Sequence, residues 1–246
     1  MRKSLLLIVF AGVFVVTLIA SAPLSFVLKR TGIVEQGVSW QQARGTVWHG
    51  QVTGLAVHGD AVGAVQGDFS LMRMIRGQPG HLLRWSGPSG QGSALAALSG
   101  DQILIRQGRA MVMFDAARIS SLFPAQEVSL RLSNMSIEAT ADGCRTASGK
   151  VNTDALSRIS AVYGANWPDL DGVLSCADGD LVVSVEGRAA DGTRISARSS
   201  LQGNGRLELW DVPENQTNAL LLAGFTNEAG RFVYMQQLSS GETSSE

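Results

Sequence analysis

Uncharged residues run unbroken from Leu5 to Ala22 and stop at Pro23. Leu24-Ser25-Phe26-Val27-Leu28 carries the apolar character on to Lys29 and Arg30, and Arg2 and Lys3 stand at the other end. Such a run is near the lower length limit for crossing a hydrocarbon core of about 30 Å. Lys29 and Arg30 can snorkel to the interface beyond it. The pattern predicts a membrane anchor over residues 5–28, within a tip-and-span segment of residues 1–30. Ala20-Ser21-Ala22 also has the small-x-small form of a signal-peptide cleavage site, a reading that puts Pro23, an awkward residue, first in the mature chain.

After residue 30 the pattern changes to short segments of period-two alternation, the mark of half-buried strands. In Gln102–Phe114, Ile103 and Ile105 precede Met111 and Met113, with Gly108 between the halves as a turn or bulge. Val128, Leu130 and Leu132 alternate, then the phase slips to Met135, Ile137 and Ala139. That slip predicts a bulge near Asn134. Leu181–Val185, Thr193–Leu201, Arg206–Val212 and Arg231–Leu238 read as further strands. Asp142-Gly143, Asp178-Gly179, Asp191-Gly192 and Asn204-Gly205 punctuate the boundaries, and the last two carry the strongest hairpin signal.

Helices are few. Asp115 can cap Ala116–Phe123 before Pro124, Thr153 or Asp154 can cap Ala155–Tyr163 before Gly164, and Pro213 opens a third that ends at Gly224. The expected fold is therefore mainly β. An N-terminal transmembrane helix precedes a predominantly antiparallel, curved or extended sheet over residues 31–238, with two or three short helices. Residues 239–246, all small or polar, have nothing to bury and read as a disordered tail.

Composition narrows the function. Charged residues are 17% of 246, and glycines number 28, which excludes a disordered acidic chain or a coiled coil. The formal net charge is −1 and no basic run exceeds two residues, so nucleic-acid binding has no electrostatic footing. Three His and two Cys leave almost nothing for a structural metal site, and no cofactor is expected.

Arg2 and Lys3 favour a cytoplasmic N-terminus, whereas Lys29 and Arg30 pull the other way. Beyond them only Lys150 remains as lysine, and the region is acidic, which favours export to the periplasm. Cys144 and Cys176 are the only cysteines, both on the exported side, an even number suited to one disulfide. Two unrelated buried thiols are the other reading.

Catalytic patterns break on inspection. Gly87-Pro88-Ser89-Gly90 places its second glycine one position early for a nucleophile elbow and reads as a loop. Gly203-Asn204-Gly205 lacks the third glycine of a dinucleotide loop. A Ser/Lys dyad would have to use Lys150 beside Ser148 on a strand. His49 and His58 could face each other across a hairpin bent at Gly54, with His81 joining them, but no cysteine lies nearby. Asp169, Asp171, Asp178 and Asp180 cluster, yet Val173 and Leu174 fall where an EF-hand needs an oxygen ligand and a glycine. These carboxylates read as turn formers. No residue is expected to be catalytic.

Gly45-Thr46-Val47-Trp48-His49-Gly50, a Gly-small-aliphatic-Trp-x-Gly turn soon after the anchor, resembles the type II secretion system protein N family, also called general secretion pathway protein N. Cys144 followed by Gly149-Lys150-Val151, and Leu170-Asp171-Gly172-Val173-Leu174-Ser175-Cys176, are similar to its two cysteine segments. Gly205-Arg206-Leu207, Leu222-Ala223-Gly224-Phe225 and Gly230-Arg231-Phe232 are similar to its final strands, although Leu207 replaces an aromatic. Residues 60–100 match little beyond Leu82-Leu83-Arg84-Trp85.

The resemblance implies a single-pass inner-membrane protein with a periplasmic β domain, an accessory, non-catalytic part of the machinery exporting folded proteins across the outer membrane. Other secretion-apparatus proteins are its implied partners. Independently of the family, Trp48 between Gly45 and Gly50 can bury its ring at a sheet corner where backbones approach closely, as core or as a partner-docking residue. The alternative function is periplasmic lipid handling through an apolar groove lined by the alternating segments 102–114 and 128–139.

Overall fold

The computed structural model describes residues 10, 21–35, 37–75, 77, 80–118, 125–162, 166–200 and 203–237. The apolar run from Leu5 lies largely outside them, as do Phe123, Tyr163 and the tail over 239–246. Among the described residues no helix is long and apolar enough to cross a membrane. The fold is mainly β with antiparallel pairing throughout, and the chain forms two compact units, Met1–Ala97 and Leu98–Glu246.

The first unit opens with helix α1, Leu24–Arg30, held to the sheet by an isolated bridge between Pro23 and Thr46. Strands β1 (Val38–Ser39) and β2 (Gln42–Gly45) both pair with one long strand, β3 (His49–Val57), at its two ends. The changeover falls at Gly54, whose φ of +64° few other residues tolerate, and there the register to β4 (Asp60–Phe69) slips. Gly54 thus makes a bulge inside β3; the hairpin itself turns at His58–Gly59. A short helix, α2 (Leu71–Ile75), which the pattern did not announce, leads to β5 (His81–Gly87) and β6 (Gly90–Ser99). Pro88 and Ser89 are the two turn residues between them, so the near-elbow is a hairpin loop.

The second unit is a meander. It runs through β7 (Gln102–Asp115), β8 (Glu127–Thr140) and β9 (Gly143–Thr153), then helix α3 (Ala155–Val162), then β10 (Leu170–Ala177), β11 (Asp180–Arg188), β12 (Arg194–Ser200) and β13 (Asn204–Trp210). Helix α4 (Glu214–Leu222) precedes β14 (Thr226–Glu228) and β15 (Arg231–Gln237), and β15 inserts between β13 and β14.

Both expected bulges are present. Register slips around Gly108 in β7, with Gln107 at φ +52°, and between Ser133 and Ser136 in β8, with Asn134 at φ +52°. The slip keeps Leu130 and Leu132 before it, and Met135 and Ile137 after it, packed on one core. One hairpin was misplaced by its dipeptide. Asn204-Gly205 begins β13 rather than turning the chain, and Gly203 at φ +89° takes the left-handed position instead. Asp191-Gly192 does turn, with Gly192 N–H donating to the Ala189 carbonyl.

Val151, Leu156, Leu170, Leu174, Val185, Ile195, Leu209, Leu220 and Phe232 form the core of the second unit. A satellite of Ala116, Val128 and Ile159 ties α3 to the ends of β7 and β8. Asp115 accepts from the Ala117 N–H, as expected of a cap, but only one 3-10 turn, Ala116–Arg118, follows within the described residues.

At α3 Thr153 supplies the cap, while the Asp154 carboxylate turns to β8 and to Arg158. Thr153 Oγ1 accepts from the Ala155 N–H at 3.2 Å, and Asp154 accepts the Ser129 N–H and Arg158 Nε, each at 2.6 Å. Burial pushes the Asp154 carboxyl up, but the Ser129 N–H and the Arg158 guanidinium outweigh it and hold it below the usual carboxylate range. Asp191 is also held low, by the Thr193 N–H first, and Gln216 of α4 donates to its other oxygen at 3.1 Å.

Candidate functional site

The Trp48 turn is built from small residues. The Thr46 N–H donates to the His49 carbonyl at 3.0 Å, and Thr46 Oγ1 accepts from the N–H groups of Trp48 and His49. A side chain on Gly45, at φ +85°, would strike the His49 carbonyl, and one on Gly50 would meet Leu24 of α1 and the Thr46 carbonyl. Only glycines allow this closeness. The turn aims Trp48 at Phe69, edge-on with centroids 5.1 Å apart, and stacks it against His81 at 6.4 Å. His81 Nε2 sits 3.1 Å from the Val47 carbonyl. The Trp48 ring is half-buried, and its indole N–H is buried with no acceptor among the described residues. Phe69 and His81 are neighbours because β4 and β5 pair Phe69 opposite His81, a long-range match with no local signal.

The remaining candidates scatter. His49 and His58 occupy opposite ends of β3 and cannot face each other, since the chain turns after His58 and not at Gly54. Ser148 and Lys150 share a solvent-open face of β9. Of the four aspartates, Asp169 accepts from Ser157 and Asp171 from Asn152, and only Asp178, at φ +54°, is a left-handed turn residue. Among the described residues no group of three His, Cys, Asp or Glu is placed to hold a metal.

Cys144 and Cys176 do come together, as a disulfide with Cα atoms 5.7 Å apart. It joins the start of β9 to the end of β10, where the Cys144 N–H donates to the Gly179 carbonyl at 2.7 Å. On the core side of the same unit lies a cavity of about 520 Å³. Leu130, Leu156, Ile159, Leu181, Val183 and Leu207 line it, with Ser199 and Ser200 at its edge. Of the two alternating segments read as groove walls, 102–114 contributes Phe114 and 128–139 contributes Leu130, while most of the lining comes from α3, β11 and later strands that the alternation did not point to.

A family model described as type II secretion system (T2SS), protein N, matches residues 36–234. The chain belongs to that family. The match takes in the Trp48 turn, both cysteines and the cavity, and family membership associates the chain with the secretion apparatus and its other proteins. No curated protein and no solved structure matches the chain.

Proposed function

We propose that this chain is a non-catalytic, inner-membrane-anchored subunit whose β units lie in the periplasm and dock other proteins of the type II secretion apparatus. The family match over residues 36–234 carries the reading. The disulfide supports the compartment, because glutathione keeps such pairs reduced in cytosol. Residues 5–28 serve as the anchor, the run before Pro23 crossing the bilayer and Leu24–Leu28 entering α1 on its far side, with Arg2 and Lys3 on the cytoplasmic side. Docking uses sheet edges: β14 is three residues long, so beyond Val233 one side of β15 is free among the described residues to take a partner's strand.

One experiment tests the whole. Crosslinking in intact envelopes, with mass spectrometry of protein and lipid adducts, is expected to recover secretion-apparatus proteins on the anchored chain. Recovery of none, or carbonate release of the chain, defeats the reading.

A second reading, lipid handling, rests on the cavity of about 520 Å³, within the usual size range for ligand pockets and walled by aliphatic side chains. Acyl adducts on Leu156 or Leu181 would favour it over the first.

A further inference from the structure

The chain leaving the N-terminal apolar run is fastened at once to one end of the first unit. The Val47 N–H donates to the Ala22 carbonyl at 3.4 Å, and Pro23 bridges Thr46. Beside them the Phe69 N–H donates to the Trp48 carbonyl at 2.7 Å. Helix α2 begins two residues after Phe69, so it shares this end of the sheet with the exit of the apolar run.

Its side chains are unusual for a water-facing helix. Met72, Met74 and Ile75 are 57%, 48% and 76% exposed. On α1, Phe26 is 57% exposed with the Arg30 guanidinium 5.5 Å from its ring centroid. Lys29 and Arg30 close α1, Arg73 lies on α2, and neither helix carries an acidic residue. Apolar side chains interleaved with cations, and free of carboxylates, match the chemistry of an anionic phospholipid surface.

We propose that this end of the first unit rests on the bilayer, with Met72, Met74 and Ile75 in the headgroup zone and Lys29, Arg30 and Arg73 against lipid phosphates. The inference rests on the anchor reading: the apolar run, outside the described residues, ends at Ala22, within two hydrogen-bonded steps of the strand that feeds α2. A bilayer is therefore the nearest apolar surface to α2. The aromatic cluster of Trp48, Phe69 and His81 is then the rigid link that fixes α2 relative to the exit.

The full chain in vesicles of phosphatidylethanolamine and phosphatidylglycerol tests this. A polarity-sensitive fluorophore is attached at Ile75→Cys or, for reference, at Asp60→Cys. Asp60 follows the turn at the opposite end of β3, about 30 Å away at the rise of a strand. Quenching by lipid-borne nitroxide is expected to be about threefold or more stronger at position 75 than at 60. Equal weak quenching at both, in a chain that resists carbonate extraction, overturns the proposal and leaves the anchor standing. Carbonate release overturns the anchor reading and the proposal together. A label at 75 shielded from aqueous quenchers yet untouched by lipid nitroxide also overturns it, since a protein then covers α2. Met74→Cys gives the same comparison if Ile75→Cys does not fold.

Discussion

Buried apolar side chains crowd the second unit, from Val128 through Leu170, Ile195 and Leu209 to Val233, whereas in the first unit Leu95 alone, among the described residues, is buried. Both are antiparallel sheets of similar strand length. They differ in what covers them. The second unit lays α3 and α4 on one face, and its alternating aliphatics meet there in a shared core. The first unit is stitched by backbone ladders, close glycine contacts such as Gly63 against Gly87, and a single aromatic cluster. A sheet without its own cover holds its shape through hydrogen bonds, which contribute only about 1 kcal/mol net apiece, and leaves apolar surface for something else to bury. Large apolar side chains stay exposed in both, Met72 and Ile75 in the first and Leu98 and Leu222 in the second, so what separates the units is the buried core.

The largest effect should come from Leu209→Ala, which empties a site with 0% exposure in the core of the second unit. A loss of about 4 kcal/mol is expected in denaturant unfolding, against about 1 kcal/mol for Val65→Ala in the half-buried first unit. Equal losses would erase the contrast. Next, replacing Cys144 and Cys176 by Ser frees a loop with ends 32 residues apart and should cost about 3–4 kcal/mol. Hydrogen exchange should show faster opening in the second unit, while the first keeps its protection.

Trp48→Ala is the strongest perturbation of the first unit, about 2 kcal/mol, because it removes the ring that Phe69 and His81 pack against. It should shift exchange in residues 42–69 and leave residues 150–210 unchanged. The smallest effect is acid-linked. Asp154, held below the ordinary range in the folded protein, stabilises fully above that range, and the contribution fades as pH falls through its folded value. Asp154→Asn, which weakens the bonds to the Ser129 N–H and Arg158, should cost about 1 kcal/mol at pH 7 and flatten the acid limb of the second unit's stability curve.

Sequence reading succeeded where one residue carries its own reason. Asn134 tolerates the left-handed backbone of its slip, and Gly108 leaves room for Met135 beside Gln107, which takes the positive φ at the other, so both bulges were legible. Thr153 announced α3 by its chemistry, capping the Ala155 N–H. The failures share a cause. Asn204-Gly205 was a plausible turn, but the ladder from Ser199 opposite Gly205 fixed the register, and Gly203 took the turn. Gly54 and His58 were confused because a bulge glycine and a hairpin glycine look alike until β4 pairs. The strands of residues 60–99, rich in Gly, Ala and Ser, give almost no alternation, so the first unit was seen only through Trp48. The partners of Trp48 depend on a pairing between β4 and β5 that no local pattern states.

The order of the second unit also sets how it would respond to a pull. Neighbours in the sheet are mostly neighbours in sequence, so a load on the C-terminal end would detach strands one after another at low force, each ladder breaking bond by bond. That progression meets a covalent stop at Cys176. The segment between the cysteines, 32 residues apart, is shunted out of the force path, withholding about 110 Å of extension at roughly 3.4 Å per residue. The disulfide thus limits how far the second unit can be drawn out and holds β9, α3 and β10 within one closed loop.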